Sequence, residues 1–248
     1  MSYQEFPVRG RWAGLVEAAW TGSTPADDPG AVQPILPDGC MDIVWTGAEL
    51  CVAGPDTAPH PHRRVPGRPA CGLRFAPGRL PALLGVPAAG LRDRRVPLAE
   101  LHPAIARATA GRLADADPDA RTTLGVLADV VRALPATPLD PAVPALAALL
   151  GSAEVAGTSV AALADTVGWT PRTLHRHCLA AFGYGPAVLR RVLRFRRATD
   201  LLAAGVAPAE VAARAGYADQ PHLSRELRAL GGTSPRRFAT ATTATAAA

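Results

Sequence analysis

The sequence predicts an α+β chain of 248 residues. It divides into a small β-rich N-terminal domain over 1–95, a helical linker over 96–138, an all-α C-terminal domain over 139–239, and a tail over 240–248 made only of Thr and Ala. Three observations predict this. Short apolar stretches separated by Gly and Pro turns fill the first part. Apolar residues then recur at three- and four-residue intervals. Finally, one two-helix pattern occurs twice in the last third.

In the front part, Ile43-Val44-Trp45, Leu50-Cys51-Val52 and Gly72-Leu73-Arg74-Phe75 read as strands. Pro37-Asp38-Gly39 and Thr46-Gly47 supply turns between them, because these residue types accept the backbone conformations that reverse a chain. His60-Pro61-His62-Arg63-Arg64 reads as a loop, and Leu80 to Leu84 as a single helical turn. The polar segment Met1 to Arg11 lacks the apolar core of a signal peptide.

In the middle, Leu98, Leu101 and Ile105 place a helix over Leu98 to Leu113. Leu124, Leu127, Val130 and Val131 place a second over Pro118 to Leu134, with Asp117 as its cap and Pro118 just inside. These helices form either a dimer interface or a cover for the β domain; periodicity alone does not choose.

The duplicated pattern runs Leu163-Ala164…Gly168-Trp169…Leu174-x-Arg176 and then Val211-Ala212…Gly216-Tyr217…Leu223-x-Arg225. Each copy reads as a helix, a glycine turn and a longer helix, which is a helix-turn-helix unit. Thr158 or Ser159 caps the first helix, and Thr170 the next, with Pro171 at its first position. Leu174, Cys178 and Phe182 then face inward, while Arg172, Thr173, His175 and Arg176 face out. In the second copy Asp219 is the cap. Leu223, Leu227 and Leu230 face inward, and Gln220, His222, Ser224 and Arg225 face out. Between the copies, Gly185 to Ala204 forms a helix of ~30 Å, with Leu189, Val192, Leu193, Leu201 and Leu202 on one side. Arg190, Arg191, Arg194, Arg196 and Arg197 surround the rest. Arg190, Arg194 and Arg197 are either phosphate contacts or an ordinary solvated face.

Charge follows the same division. All 26 basic residues are arginine. Residues 1–150 hold 14 Arg against 15 acids, net −1, and residues 151–248 hold 12 against 6, net +6. A positive excess on the duplicated units points to a polyanion, of which nucleic acid is the commonest.

Gly216 to Arg225 with Gly232-Thr233-Ser234-Pro235-Arg236-Arg237-Phe238, and Asp165 to Arg176 before it, resemble the two helix-turn-helix signatures of the AraC/XylS family of transcription regulators. The resemblance covers Pro141 to Phe238. It implies a bacterial-type, cytoplasmic regulator, activator or repressor. Arg172, Thr173, His175 and Arg176 would enter one major groove of double-stranded DNA, and Gln220, His222, Ser224 and Arg225 the next. Arginine reads guanine and glutamine adenine at ~1–3 kcal/mol per good pair, and the connecting helix matches one ~34 Å turn of DNA. Two departures stand out. Leu227 and Gly231 replace bulky aromatics, which predicts a loosely packed last helix. Pro221 replaces a polar residue that touches DNA in relatives.

The segments Leu36 to Trp45, Val52 to Pro55 and Gly72 to Gly78 are similar to an uncharacterised N-terminal domain carried by some family members. The resemblance implies a small-molecule effector there, with Asp42, Trp45, Arg74 and Phe75 as the residues to line its pocket. The competing reading places Trp45 and Phe75 in the core and pairs Asp42 with Arg74. Further implied partners are RNA polymerase, if the chain activates, and a second copy in a homodimer. No membrane-length apolar run, cofactor motif, metal motif or catalytic set is visible. Two alternatives stay open. One is a redox- or metal-responsive regulator using Cys40, Cys51, Cys71, His60 or His62. The other is an enzyme domain, such as a cysteine methyl acceptor, fused to a DNA-binding tail.

Overall fold

The computed structural model describes residues 2–23, 33–62, 69–114, 120–135, 137–138, 140–234 and 238. The N-terminal part holds strands β1 (Ser2–Pro7), β2 (Val16–Ser23), β3 (Gln33–Ile35), β4 (Met41–Trp45), β5 (Leu50–Ala53), β6 (His60–His62), β7 (Ala70–Phe75) and β8 (Arg95–Pro97). Six of them form one antiparallel sheet in the order β1-β2-β7-β4-β5-β8, and β3 pairs with β6 in a separate ribbon. The expected strands at 43–45, 50–52 and 72–75 are all present. His60–His62 is a strand rather than a loop, because pairing with Gln33–Ile35 satisfies its backbone. The β1–β2 hairpin had no strong apolar signal. Its outer strand lies at the sheet edge, where alternation is weakest, and Phe6 is 43% exposed.

Strand alternation gives the sheet two different faces. Ile43, Val52, Leu73 and Phe75 point to one face and form a single core with helices α1 (Leu80–Leu84), α2 (Leu98–Leu101), α3 (Pro103–Ala114) and α4 (Ala120–Ala133). Val126, Leu127, Val130 and Val131 of α4 are all buried there, so its apolar stripe is spent on the sheet. Trp20, Val44, Cys51 and Ala70 point to the opposite face. There the Trp20 indole lies directly on Gly72, where any β-carbon would meet the ring at 2.3 Å.

The helix expected over 98–113 is broken in two. His102 precedes Pro103, whose ring pushes it out of helical geometry to φ −138°, ψ 72°. The broken turn is tied down by His102 Nε2 at 3.0 Å from the Leu84 carbonyl. Asp117 and Pro118, the expected cap and first residue of the next helix, lie outside the described residues, as does the Thr/Ala tail.

The C-terminal part is helical: α5 (Ala142–Gly151), α6 (Val160–Thr166), α7 (Pro171–Phe182), α8 (Pro186–Ala203), α9 (Pro208–Arg214) and α10 (Gln220–Gly231). Helix α8 spans ~27 Å and joins two cores. Leu189, Val192 and Leu193 belong to the core of α5–α7, while Phe195, Ala198 and Leu202 belong to that of α9 and α10. No described helix is long and apolar enough to cross a membrane.

Candidate nucleic-acid interface and a cavity on the sheet

Both helix-turn-helix units are built by the local chemistry that the sequence displays. Ser159 Oγ accepts from the Ala162 amide at 3.1 Å and starts α6. Gly168, at φ +69°, turns the chain. Thr170 Oγ1 accepts from the Thr173 amide at 3.1 Å and starts α7. In the second unit Gly216 turns at φ +78°, and Asp219 accepts from the His222 amide at 2.6 Å. Such caps satisfy amides that have no partner inside a helix. Pro221 falls in the first turn of α10, where no intrahelical amide is lost. The aromatic after each turn glycine meets a histidine of the next helix. Trp169 lies 4.3 Å from His177 by ring centroids, and Tyr217 lies edge-on to His222 at 5.2 Å.

Leu174, Cys178 and Phe182 are buried, as are Leu223, Leu227 and Leu230. The outward positions divide. Arg172, His175, Arg176, Gln220 and Arg225 are exposed, while Thr173, His222 and Ser224 are half-buried. Glu226 pairs with Arg191 at 2.7 Å and Glu210 with Arg214 at 3.1 Å. An intradomain ion pair of Arg225 with either Glu226 or Glu210 would thus have to compete with a partner already in place. The looser packing expected of α10 is not seen. Leu227 is fully buried, and the Phe195 ring fills the space over Gly231, 3.3 Å from where a β-carbon would stand.

The arginines of α8 are mostly structural. Arg190 donates to the Val155 and Thr158 carbonyls, Arg194 stacks 4.5 Å over the Tyr217 ring, and Arg191 ties α8 to α10. Arg196 reaches the N-terminal part, bonding Glu17 and Cys40 Sγ. Arg197 stays exposed. Of the three arginines read as phosphate contacts or solvated face, Arg190 and Arg194 are thus held by the protein itself. Sequence reasoning could not have found this, since the partners lie on other elements.

Unit one packs on the N-terminal part. Tyr184 donates to the Asp56 carbonyl at 2.6 Å, Arg92 donates to the Gly183 carbonyl at 3.2 Å, and Phe182 packs against Gly78. The exposed side of α7 shares a crevice of about 500 Å³ with Pro87 and Ala89; Arg172, His175 and Arg176 line it.

A second cavity, of about 240 Å³, opens on the sheet face opposite the helices. Asp42 and Arg74 line it as directly paired neighbours on β4 and β7. Trp45 and Phe75 do not. Their positions alternate to the helix-covered face, where Phe75 is fully buried. Trp20, missed by sequence reasoning, donates its indole N–H to Asp42 at 2.7 Å. Burial raises the Asp42 carboxyl to about 6 despite the nearby Arg74 guanidinium. Arg74 bonds Glu5 at 2.8 Å and stands 3.6 Å from Asp38 and 3.8 Å from Asp42. Its charge is shared among three carboxylates rather than spent on Asp42.

Cys40, Cys51, Cys71 and Cys178 are free and buried. Burial pushes the thiols of Cys51 and Cys71 up to about 11 and that of Cys178 to about 12, and raises Cys40 as well. Thiols held protonated in this way are poor nucleophiles toward oxidants. Among the described residues no three His, Cys, Asp or Glu side chains gather as a metal site. The side chain of His62 lies outside the described residues.

Residues 163–241 match the family model of a helix-turn-helix domain, and residues 4–97 match that of a domain of unknown function, DUF6597. No curated protein matches the chain. Among solved structures, the C-terminal domain of AraT, a response regulator from Geobacillus stearothermophilus, is 21% identical with a TM-score of 0.38. That match covers 42% of this chain and 88% of the other. ToxT from Vibrio cholerae O395 is 9% identical over 98% of both chains, with a TM-score of 0.49. ToxT of strain SCE256, bound to an unsaturated fatty acid, is 10% identical over 88% of this chain and 93% of that one, with a TM-score of 0.46. The chain joins an N-terminal region matching DUF6597 to a C-terminal helix-turn-helix domain, and is a DNA-binding transcription regulator.

Proposed function

We propose that this regulator reads a specific DNA sequence by setting α7 and α10 into successive major grooves of one duplex. Arg172, Thr173, His175 and Arg176 form the first reading set, and Gln220, His222, Ser224 and Arg225 the second. The carrying observation is the pair of capped units at the two ends of α8. A separation of ~27 Å along that helix is compatible with one ~34 Å turn of DNA. Exposed arginine on each second helix offers the bidentate donor that recognises guanine. The basic half of the chain supplies the salt-dependent attraction to phosphate.

The working division is a sensor domain over 1–95, a linker over 96–138 and the DNA-binding domain over 139–239. A small effector acts at the N-terminal domain, and the cavity with Asp42 and Arg74 is its site. If the regulator activates, RNA polymerase is its further partner. In vitro selection followed by footprinting tests the reading. Two protected patches centred ~10 base pairs apart are expected, with affinity falling steeply as salt rises. One patch, or salt-insensitive binding, refutes it.

A further inference from the structure

We propose that the cavity on the open sheet face takes a small organic cation, an ammonium or guanidinium group carried on a compact apolar or aromatic body. This rests on the reading of the cavity as the effector site and names the chemistry that site selects.

The charge balance of the walls points there. Among the described residues, four carboxylates line the cavity, from Asp38, Asp42, Glu49 and Asp56, against the two guanidinium groups of Arg74 and Arg95. Arg95 is consumed by Asp56, which it grips through two bonds of 2.8 and 2.7 Å. Arg74 spends its strongest contact on Glu5, leaving Asp38 and Asp42 beyond hydrogen-bond reach of its Nε. Glu49 makes no ion pair among the described residues. His60 also faces the cavity, and burial together with Arg95 lowers its pKa, so at neutral pH it adds no positive charge. Among the described residues, the walls therefore carry more negative charge than their own cations neutralise. Both arginines are already surrounded by carboxylates, which disfavours an anionic ligand.

The remaining wall suits the same guest. Trp20 and Tyr3 lie together, ring centroids 5.9 Å apart, and both line the cavity. Aromatic faces attract cations, more strongly where water is excluded. Leu36, Met41 and Val44 provide apolar surface for the body that carries the charge. A volume of about 240 Å³ lies below the ~300 Å³ at which drug-sized pockets begin, so the body is compact. An ionised carboxylate out of water is costly unless paired. The raised pKa of Asp42 registers that cost, and an ammonium group beside it relieves it.

The test is calorimetric titration of the full chain with benzylamine, cyclohexylamine and butyltrimethylammonium, beside benzyl alcohol and benzoate as neutral and anionic counterparts. At least one cation is expected to bind, with benzyl alcohol weaker than benzylamine by about tenfold or more, equivalent to one pKa unit of charge discrimination, and benzoate silent. Asp42→Asn keeps an acceptor for the Trp20 indole and removes the charge. It should cost the bound cation about tenfold and leave benzyl alcohol unchanged. Benzoate binding as tightly as benzylamine, or no cation binding to a chain whose circular dichroism is native, overturns the proposal. Operator titrations on the same samples separate the two readings. Cation binding without any change in DNA affinity upholds the site and defeats its role as effector site. DNA binding by a chain that takes no cation defeats the ligand class and leaves the regulator intact.

Discussion

Unit one of the duplicated pair is fastened to the N-terminal domain by Tyr184, Arg92 and the packing of Phe182 on Gly78. Unit two meets that domain at Leu36, is tied to α8 through Phe195 and the Arg191–Glu226 bridge, and rests its turn glycine Gly216 on Ala153 and Ala156. On its second helix Gln220 and Arg225 are exposed, whereas the second helix of unit one shares a crevice with Pro87 and Ala89. One motif, copied, has thus been given two mechanical settings. The first copy is packed onto the N-terminal domain, and the second hangs mainly from the helix between them. The lesson is that a repeat in sequence predicts equal local geometry and not equal coupling to the rest of the molecule.

The largest effects come from removing the anchor of each unit. Phe182→Ala should cost about 3–5 kcal/mol and Leu227→Ala about 2–5 kcal/mol. By hydrogen exchange, the first should loosen both α7 and the sheet, while the second should loosen α10 and spare the sheet. Equal loosening of the sheet by both would break the comparison.

Next is Asp42→Asn. Asp42 has a folded pKa of about 6 against an ordinary 3.8, so the native state holds its proton more tightly than the unfolded chain. Its ionisation therefore destabilises the fold, fully above pH 6 and less as pH falls toward 4. The variant should be more stable than the parent by about 2–3 kcal/mol at pH 8, with the gain shrinking as pH falls toward 4. Denaturant melts at both pH values check the sign. If unit one moves as one body with the N-terminal domain, the added protection should extend to α7 and not to α10.

Of comparable or smaller size are the reading arginines. Arg176→Ala and Arg225→Ala should each weaken binding to the selected operator by about 1–3 kcal/mol, with a lesser loss on random DNA. Equal losses on both templates would reassign the residue to phosphate contact. Smallest are the caps. Thr170→Ala and Asp219→Ala should each cost about 1 kcal/mol. The loss at Asp219 should show as fraying of α10 alone, by exchange of its first amides.

Most of the C-terminal domain was legible in the sequence because its determinants are local. Caps, turn glycines and the inward triplets at 174, 178, 182 and 223, 227, 230 lie within a few residues of what they fix. The contacts of the α8 arginines were not legible. Arg196 finds Glu17 across 179 positions, and Arg190 finds Thr158 across 32. In the sheet, three of the central strands announced themselves by β-branched and apolar runs, while the outer hairpin did not. Of the four residues named for a pocket, alternation sent Asp42 and Arg74 to one face and Trp45 and Phe75 to the other. Trp20 could have been found by the same rule, had its strand been recognised.

Leu36, Asp38 and Cys40 wall the cavity, and the same stretch presses on α8: Gly39 lies against Leu193, and Cys40 Sγ accepts a hydrogen bond from Arg196. On the proposed reading, a guest that widens or tightens this stretch would be felt by α8, the helix between the two units. By thermodynamic reciprocity, any resulting change in hold on DNA is mirrored, factor for factor, in the hold on the guest. On the proposed reading, a small molecule and a stretch of DNA would bargain across this one short run of chain.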